Sequence, residues 1–244
     1  HFMAIICAHR GDPAHAPEAT VAAFELAAKL GVEMVEFDVH MTADGELVVM
    51  HDPTVDRCTD GSGEIALMSL AQIKSLDAGI KFSPDFVGEK VPTFAEAVEA
   101  LPSPIWLNIH LKTMDTTGNR GFEDRFMGEF ADLKLAGRAH VVHDYLESLV
   151  RVRRIAPDTP CCWLPMCPDG AEYIRRSRLA GFNILQPGRG MMSPAFCEAV
   201  HAAGMTANVF DANTEDDMRR YIDWGIDGIL TDDPTLMQEV RRTP

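Results

Sequence analysis

The sequence has little positive charge and no long apolar run. It contains 22 Lys and Arg residues against 37 Asp and Glu, which gives a net charge of −15. Nucleic acids and anionic membrane surfaces bind basic surfaces, so neither is an expected partner. A small anionic substrate stays compatible, because a cation or a few basic side chains reverse the potential inside a cleft. Every apolar run is far shorter than the ~18 residues of a membrane-spanning helix, so we expect no membrane span and no signal peptide.

The cysteines follow neither the spacing of a zinc motif nor that of a disulfide framework. Buried free thiols are the favoured interpretation, and these are typical of a reducing, cytoplasmic compartment. The six cysteines stand at positions 7, 58, 161, 162, 167 and 197.

Short β-rich runs alternate with amphipathic helical patterns along all 244 residues. At this length the alternation predicts a parallel sheet closed into a single α/β domain, a (β/α)₈ TIM barrel. An open doubly wound sheet is the alternative, but Gly61-Ser-Gly63 does not join a strand to a helix as a dinucleotide-binding loop would. Strands are predicted at 4–8, 34–39, 47–50, 105–111, 139–143, 161–164, 183–185, 206–210 and 228–230. Helices are predicted at 17–30, 93–100, 122–135, 146–155, 171–179, 194–203, 215–224 and 234–241.

One interval, approximately residues 53–91, interrupts this alternation. It is rich in loop-forming residues and contains only a short helical pattern at 69–75. Such a length is unusual for a bare loop in a compact domain, so we expect a small inserted cap subdomain after the second barrel strand. The single domain then covers residues 1–244.

Charged and metal-ligating residues fall at or near the predicted strand ends, where barrels of this class carry their active sites. Alternate residues share one face of a strand, so two carboxylates two positions apart point the same way. Carboxylates hold a cation, histidines move protons, and basic side chains hold an anion, which together suit phosphoester cleavage. The candidates are His9, Arg10, Glu36, Asp38, His51, His110 and Lys112.

Nine short segments, in order along nearly the whole chain, form a recognisable pattern. They are His9-Arg-Gly11, Ala16-Pro-Glu-Ala-Thr20, Glu36-Phe-Asp-Val-His-Met-Thr-Ala-Asp-Gly45, Val48-Val-Met-His-Asp52, Asp56-Arg-Cys-Thr-Asp-Gly-Ser-Gly63, Leu76-Asp-Ala-Gly79, Val91-Pro-Thr-Phe94, Asn108-Ile-His-Leu-Lys112 and Gly225-Ile-Asp-Gly-Ile-Leu-Thr-Asp-Asp-Pro234. These segments resemble the glycerophosphodiester phosphodiesterase family. The resemblance implies a TIM barrel with an inserted cap, a divalent cation, and hydrolysis of glycerophosphodiesters to glycerol 3-phosphate and an alcohol.

The resemblance assigns roles to the candidate residues. His9 and His51 match the acid and base, and Arg10 and Lys112 match the phosphate-binding pair. Glu36 and Asp38 match two metal carboxylates, while His110 occupies the position of the third. The cation is then Mg²⁺ or Ca²⁺ by resemblance, with Mn²⁺, Co²⁺ or Zn²⁺ open because of the imidazole. His110 is either a ligand or a hydrogen-bonded structural histidine.

Other positions depart from the family pattern around the substrate. Ala19 replaces an asparagine, His143-Asp144 replaces a Ser-Phe pair, and Phe210-Asp-Ala-Asn213 replaces Trp-Thr-Val-Asn. Phe82, Phe86, Trp163 and Phe210 are candidates for an apolar alcohol subsite. Two alternatives therefore stay open: a phosphodiesterase for another alcohol, such as a lysophospholipid or sugar phosphodiester, and a catalytically impaired phosphodiester-binding protein. Both a monomer and a homo-oligomer are compatible with the sequence.

Overall fold

The computed structural model describes residues 3–112, 121–165 and 169–242. Strands and helices alternate along them. The strands are β1 (Ile5–His9), β2 (Met34–Met41), β3 (Leu47–Val49), β4 (Trp106–Leu111), β5 (Ala139–His143), β6 (Cys161–Trp163), β7 (Ile184–Leu185), β8 (Thr206–Val209) and β9 (Gly228–Thr231). The helices are α1 (Val21–Leu30), α2 (Leu70–Ser75), α3 (Phe94–Ala100), α4 (Phe122–Asp132), α5 (Leu146–Ile155), α6 (Gly170–Leu179), α7 (Pro194–Ala202), α8 (Glu215–Asp223) and α9 (Pro234–Arg242).

Eight of these strands form a nearly closed parallel barrel. Their order is β6-β5-β4-β2-β1-β9-β8-β7, and the two end strands, β6 and β7, contact each other. β3 lies outside the barrel, paired antiparallel with β2. The predicted (β/α)₈ TIM barrel is therefore confirmed, and the open doubly wound sheet is wrong.

Apolar side chains fill the layer between the strands and the helices, and a smaller apolar group lies inside the barrel. The rings of Phe24, Phe37, Phe94 and Phe126 form a continuous series whose successive centroids are 5.6, 6.2 and 5.3 Å apart. All four rings are fully buried, and each such side chain contributes about 1.5–3 kcal/mol through its burial. Inside the barrel, Cys7, Met34 and Leu230 form a separate small cluster. This packing supports the strand ends that carry the charged residues.

The first helix begins later than its sequence pattern predicts. Helix α1 starts at Val21 because Thr20 is its N-cap, with the Thr20 side chain accepting a hydrogen bond from the Ala23 amide at 3.3 Å. The preceding Ala19 has φ 57°, a left-handed conformation that no helix accommodates. Residues 17–20 therefore form a turn. The other end agrees with the prediction, since Gly31 caps the helix at φ 74°.

The interval 53–91 has its own small apolar cluster. It contains two single-turn 3₁₀ helices, Ile65–Leu67 and Pro84–Phe86, as well as α2. Its function as a cap stays a prediction. The cluster's buried members, which include residues of β3 and of the loop after it, are Val48, Met50, Val55, Ile65, Ile73, Ala78 and Val91.

The structure contains free cysteines only, as far as it is described. Cys7, Cys161, Cys162 and Cys197 are buried and Cys58 is partly buried, while Cys167 lies outside the described residues. The helices within the described ranges all lack the length and apolar character needed to cross a membrane.

Candidate active site

Strand register brings three of the candidate residues into one cluster. β1 and β4 both flank β2, with His9 aligned with Glu36 and Asp38 aligned with His110. Glu36, Asp38 and His110 are buried, and one potential ligand atom from each lies within 4.8 Å of the others. The predicted metal-ligating residues therefore converge.

Two oxygens of this cluster have no protein donor. Glu36 Oε2 and Asp38 Oδ2 are buried without a hydrogen-bond partner among the residues that the structure describes. A buried carboxylate oxygen left in this state is costly, and a cation removes the cost. Two carboxylates and an imidazole are a common donor set for a divalent transition metal, so the residues present fit the cation implied by the resemblance.

The two carboxylates have opposite pKa shifts. Burial, reinforced by the Asp38 charge, raises the pKa of Glu36 to about 7. Burial also disfavours ionisation of Asp38, but the hydrogen bond from His110 and the charge of Lys112 outweigh it and lower its pKa. His110 Nδ1 lies 3.3 Å from Asp38 Oδ1, and Lys112 Nζ lies 3.1 Å from the same oxygen. Lys112 thus pairs with Asp38.

His9 and His51 each donate Nδ1–H to an aspartate. His9 pairs with Asp232 and His51 with Asp52, both at 2.7 Å. These bonds fix the tautomer in which Nε2 carries no proton when the ring is neutral, so Nε2 is the atom available for proton exchange. His9 Nε2 lies 3.7 Å from Glu36 Oε2, beside the cluster.

The environments of these two histidines shift their pKa values apart. Burial opposes protonation of His9, but the Asp232 hydrogen bond and the Glu36 charge outweigh it and raise its pKa. Burial lowers the pKa of His51, although Asp38 and Asp52 oppose this effect.

Arg10 is held beside the cluster by a left-handed turn. Its φ is 58°, and its amide donates to the Glu36 carbonyl at 2.8 Å, while its carbonyl accepts from the Ala19 amide at 2.9 Å. Gly11, at φ 91°, allows the turn to contact helix α1, because a Cβ there would lie 2.7 Å from the Ala23 backbone. The Arg10 guanidinium contacts Glu18 at 2.9 Å, and its Nε lies 3.7 Å from Asp38 Oδ2.

Known proteins share this arrangement of sequence and fold. The sequence model of the Glycerophosphoryl diester phosphodiesterase family matches residues 9–236. The chain belongs to this family. A glycerophosphodiester phosphodiesterase of Caldanaerobacter subterraneus is 35% identical over 98% of this chain and 98% of its own length. A second, from Bacillus subtilis, is 31% identical over 96% of this chain and 85% of its own.

Solved structures of phosphodiesterases from other bacteria have the same fold. An Oleispira antarctica phosphodiesterase, solved with the product sn-glycerol-3-phosphate, superposes with a TM-score of 0.88 at 26% identity, covering 99% of this chain and 98% of its own. A glycerophosphodiester phosphodiesterase from Agrobacterium tumefaciens gives a TM-score of 0.83 at 29% identity, with 96% and 99% coverage. The resemblance inferred from the motifs is confirmed, and with it the prediction that the chain is an enzyme of this class.

The aspartates that form hydrogen bonds with the histidines of the site were not predicted from the sequence. Asp52, Asp144 and Asp232 bind the imidazoles of His51, His110 and His9. Asp52 directly follows His51, but Asp144 and Asp232 are 34 and 223 residues from their partners along the chain, so only the fold shows those two pairings. The motifs Thr231-Asp-Asp and His51-Asp could be recognised in the sequence, but a single sequence does not show which imidazole ring each aspartate contacts.

A further missed residue, Arg57, connects the interval 53–91 to the site. Its guanidinium donates to Asp52 Oδ2 at 2.6 Å and to the two Glu18 oxygens at 2.6 and 2.8 Å. Glu18 in turn binds Arg10, and Asp52 binds His51. One arginine therefore supports a residue of each proposed functional pair.

Two other histidines near the site have structural contacts. His40 Nε2 donates to the His51 carbonyl at 3.2 Å, and burial lowers its pKa to about 4. His143 Nδ1 accepts from the Tyr145 amide at 2.9 Å, and burial lowers its pKa to about 4. Both rings are therefore neutral at physiological pH, and their contacts are typical of structural histidines.

Two open cavities flank the cluster. One of about 360 Å³ is lined by residues that include His9, Arg10 and Asp232. The other, of about 590 Å³, is lined by Asp144, Leu164, Pro165, Tyr173, Gln186, Pro187, Gly188, Gly190, Met191 and Phe210. Of the four aromatic candidates, Phe210 lines this groove, Trp163 is buried, and Phe82 and Phe86 pack edge-to-face at 5.4 Å.

Proposed function

We propose that the chain hydrolyses glycerophosphodiesters to glycerol 3-phosphate and an alcohol, using a divalent cation and a pair of histidines. The observation that carries the proposal is the buried Glu36–Asp38–His110 cluster next to His9. Two of its carboxylate oxygens accept no hydrogen bond from the residues that the structure describes. The glycerol 3-phosphate complex of the Oleispira relative supports the substrate class.

Arg10 and Lys112 are proposed to bind the phosphoryl group. Each lies within 3.7 Å of Asp38, so both cationic groups border the cluster where a phosphate bound to a cation would sit. A bound divalent cation supplies Lewis-acid stabilisation of phosphoryl oxygens. The two side chains add hydrogen bonds to the oxygens on which negative charge concentrates in the transition state.

His9 and His51 are proposed to move the protons. One accepts the proton of the attacking oxygen, which by family resemblance is the substrate's own glycerol hydroxyl, and the other protonates the leaving alkoxide. Water then opens the cyclic product with the roles reversed. Asp232 and Asp52 keep Nδ1 protonated, so that Nε2 exchanges the proton in both rings.

The metal is proposed to be Mn²⁺, Co²⁺ or Zn²⁺ rather than the Mg²⁺ or Ca²⁺ that the resemblance alone implies. Imidazole nitrogen is a softer donor than carboxylate oxygen and suits transition metals. A His110 ring nitrogen and oxygens of Glu36 and Asp38 lie within 4.8 Å of one another, which supports a ligand role for His110.

The Phe210 groove favours a second candidate, a different leaving alcohol. With about 590 Å³ and a largely apolar lining, the groove has room for more than a small alcohol such as choline. A lysophospholipid or sugar phosphodiester would use the same cluster and histidines, and comparing hydrolysis rates for glycerophosphocholine and a lysophospholipid distinguishes the two.

The test measures glycerol 3-phosphate released from glycerophosphocholine with each added metal. We expect His9→Ala and His51→Ala each to lower kcat by at least ~10²-fold, since a general acid or base contributes that much. His201→Ala is the matched control, because its ring pairs with Asp227 in an exposed position and should leave kcat unchanged. Full activity in excess chelator would contradict the metal-dependent mechanism. Binding of glycerophosphocholine without release of glycerol 3-phosphate would indicate a catalytically impaired phosphodiester-binding protein.

A further inference from the structure

Two departures from the family pattern meet in space. His110 stands where the third metal carboxylate is expected, and Asp144 belongs to the His143-Asp144 pair that replaces Ser-Phe. β4 and β5 are neighbouring strands, with His110 aligned with Val142, so the residue just after β5 reaches the His110 ring. His110 Nε2 donates to Asp144 Oδ2 at 3.2 Å.

We propose that Asp144 is a positioning residue of the metal site, and that the His110–Asp144 pair replaces the missing carboxylate. This inference rests on the proposed metal-dependent function. Asp144 accepts the Nε2 proton, so that Nδ1, which faces Asp38 Oδ1, is the atom that would give up its proton and bind the cation. It also supplies the negative charge that a neutral imidazole lacks.

Distances within the cluster agree with this arrangement. Nδ1 of His110 lies 3.3 Å from Asp38 Oδ1. Two donors that share one small cation, each about 2.1 Å from it, lie roughly 3.0–3.4 Å apart. With the Nε2 proton held by Asp144, this Nδ1 would bind a cation in the ring orientation of carboxylate–histidine–metal arrangements.

Charge supports the same assignment. Replacing a carboxylate by imidazole removes one negative charge from a site that is proposed to hold a dication. The Asp144 carboxylate, on the far side of the His110 ring from Asp38, supplies this charge instead. The Asp144 side chain is 49% exposed, so solvent screens part of its effect. Carboxylates behind a ligating histidine are worth 10–100-fold in metal affinity, and we expect about 10-fold here.

Replacing the Asp144 side chain leaves its main-chain contact intact. Trp163 Nε1 donates to the Asp144 carbonyl oxygen at 2.9 Å, and this bond remains when the carboxylate is removed. Asp144→Ala therefore tests the carboxylate without releasing the loop after β5.

The experiment measures the Kd of Mn²⁺ for chelator-stripped full-length protein by isothermal titration calorimetry. Asp144→Ala should raise the Kd about 10-fold, and Asp144→Asn, which keeps an acceptor oxygen, should raise it less. The control is Asp158→Ala, which removes an exposed carboxylate from the turn between α5 and β6, at the opposite end of the barrel. It should leave the Kd unchanged.

Repeating the Asp144→Ala substitution in His110→Glu protein distinguishes positioning of His110 from a general loss of charge or structure. In His110→Glu protein there is no imidazole to orient, so adding Asp144→Ala should leave the Mn²⁺ Kd unchanged or lower it. An equal loss of affinity in both backgrounds would overturn the inference, as would an unchanged Kd in Asp144→Ala alone.

These outcomes differ from a failure of the proposed function. If wild-type protein binds Mn²⁺ and releases glycerol 3-phosphate while Asp144→Ala retains the wild-type Kd, only the role of Asp144 is refuted. If wild-type protein binds no divalent cation at all, the metal-dependent function fails and this inference fails with it.

Discussion

Arg57 provides the sharpest test of how the interval 53–91 supports the site. Its guanidinium forms two charge-assisted hydrogen bonds with Asp52, at 2.6 and 3.2 Å, and two with Glu18, at 2.6 and 2.8 Å. The Arg57 hydrogen bond is the largest cause of the low pKa of Asp52, which falls to about 2. Arg57→Met removes all four bonds while keeping much of the apolar side chain.

The magnitude follows from the pKa of Asp52. The interval between about 3.9, the ordinary aspartate value, and about 2 corresponds to about 2.5 kcal/mol of stability at neutral pH. His51 supplies part of this, and the Arg57 side chain is 45% exposed, so screening reduces the share of Arg57. We therefore expect Arg57→Met to lower the free energy of unfolding by about 1 kcal/mol at pH 7.

The pH dependence has a definite sign. The folded-state pKa values of Asp52 and Glu18 are both lowered, so their stabilisation is present above the unfolded pKa values, near 4. It is lost as the pH falls through the folded values towards about 2. The difference between wild type and Arg57→Met should thus shrink to roughly half between pH 7 and pH 3.

Urea denaturation at pH 7, 5 and 3 measures this difference directly. Arg175→Met is the matched control, because Arg175 also forms a double hydrogen bond, at 2.8 and 2.8 Å, with Glu172 on the surface of α6. It should leave the free energy of unfolding nearly unchanged, because exposed helical pairs contribute little. A loss in Arg57→Met that is equal at all three pH values would refute the assignment to carboxylate pairing. So would a loss no larger than that of the control.

Three further predictions concern the cluster and the turn beside it. Glu36→Gln combined with Asp38→Asn should abolish both Mn²⁺ binding and hydrolysis, measured by calorimetry and by glycerol 3-phosphate release; retention of either would contradict a carboxylate-held cation. His110→Glu should shift the preferred activating metal towards Mg²⁺ or Ca²⁺, which favour oxygen ligands, and an identical metal profile would make His110 structural. Ala19→Gly should change the free energy of unfolding by less than about 0.5 kcal/mol, because glycine adopts the φ of 57° without strain. The control Ala27→Gly, inside α1, should lower it by about 1 kcal/mol or more. Equal losses in the two variants would refute backbone strain at Ala19.

The barrel and the convergence of its charged residues were predictable because both depend on local periodicity. Glu36 and Asp38 share a strand face whatever the tertiary structure, and parallel strands place their carboxyl ends together. The start of α1 was not predictable in this way. Pro17 is acceptable in the first turn of a helix, and only the left-handed Ala19 and the cap formed by Thr20 show that the helix begins at Val21.

The ion pairs of the site were beyond sequence reasoning for a different reason. Lys112 directly follows β4 and pairs with Asp38 of the neighbouring strand β2, at 3.1 Å. Asp232, which accepts a hydrogen bond from the His9 ring, is separated from His9 by 223 positions along the chain. Local patterns carry no information about such contacts, because each is decided by how the barrel closes.

The charges around the cluster explain why a cation is expected to matter for binding as well as for chemistry. Carboxylates outnumber arginine and lysine side chains by two to one among the site residues described above. This excess opposes the approach of an anionic phosphodiester, although the raised pKa values of Glu36 and His9 reduce it. Burial strengthens this repulsion, since screening by solvent and salt is weak inside the barrel. A divalent cation at Glu36 and Asp38 would reverse the potential at the proposed phosphoryl site, whereas Arg10 and Lys112 are already paired with carboxylates. The balance is set by Glu18, Glu36, Asp38, Asp52, Asp144 and Asp232 against Arg10, Arg57 and Lys112.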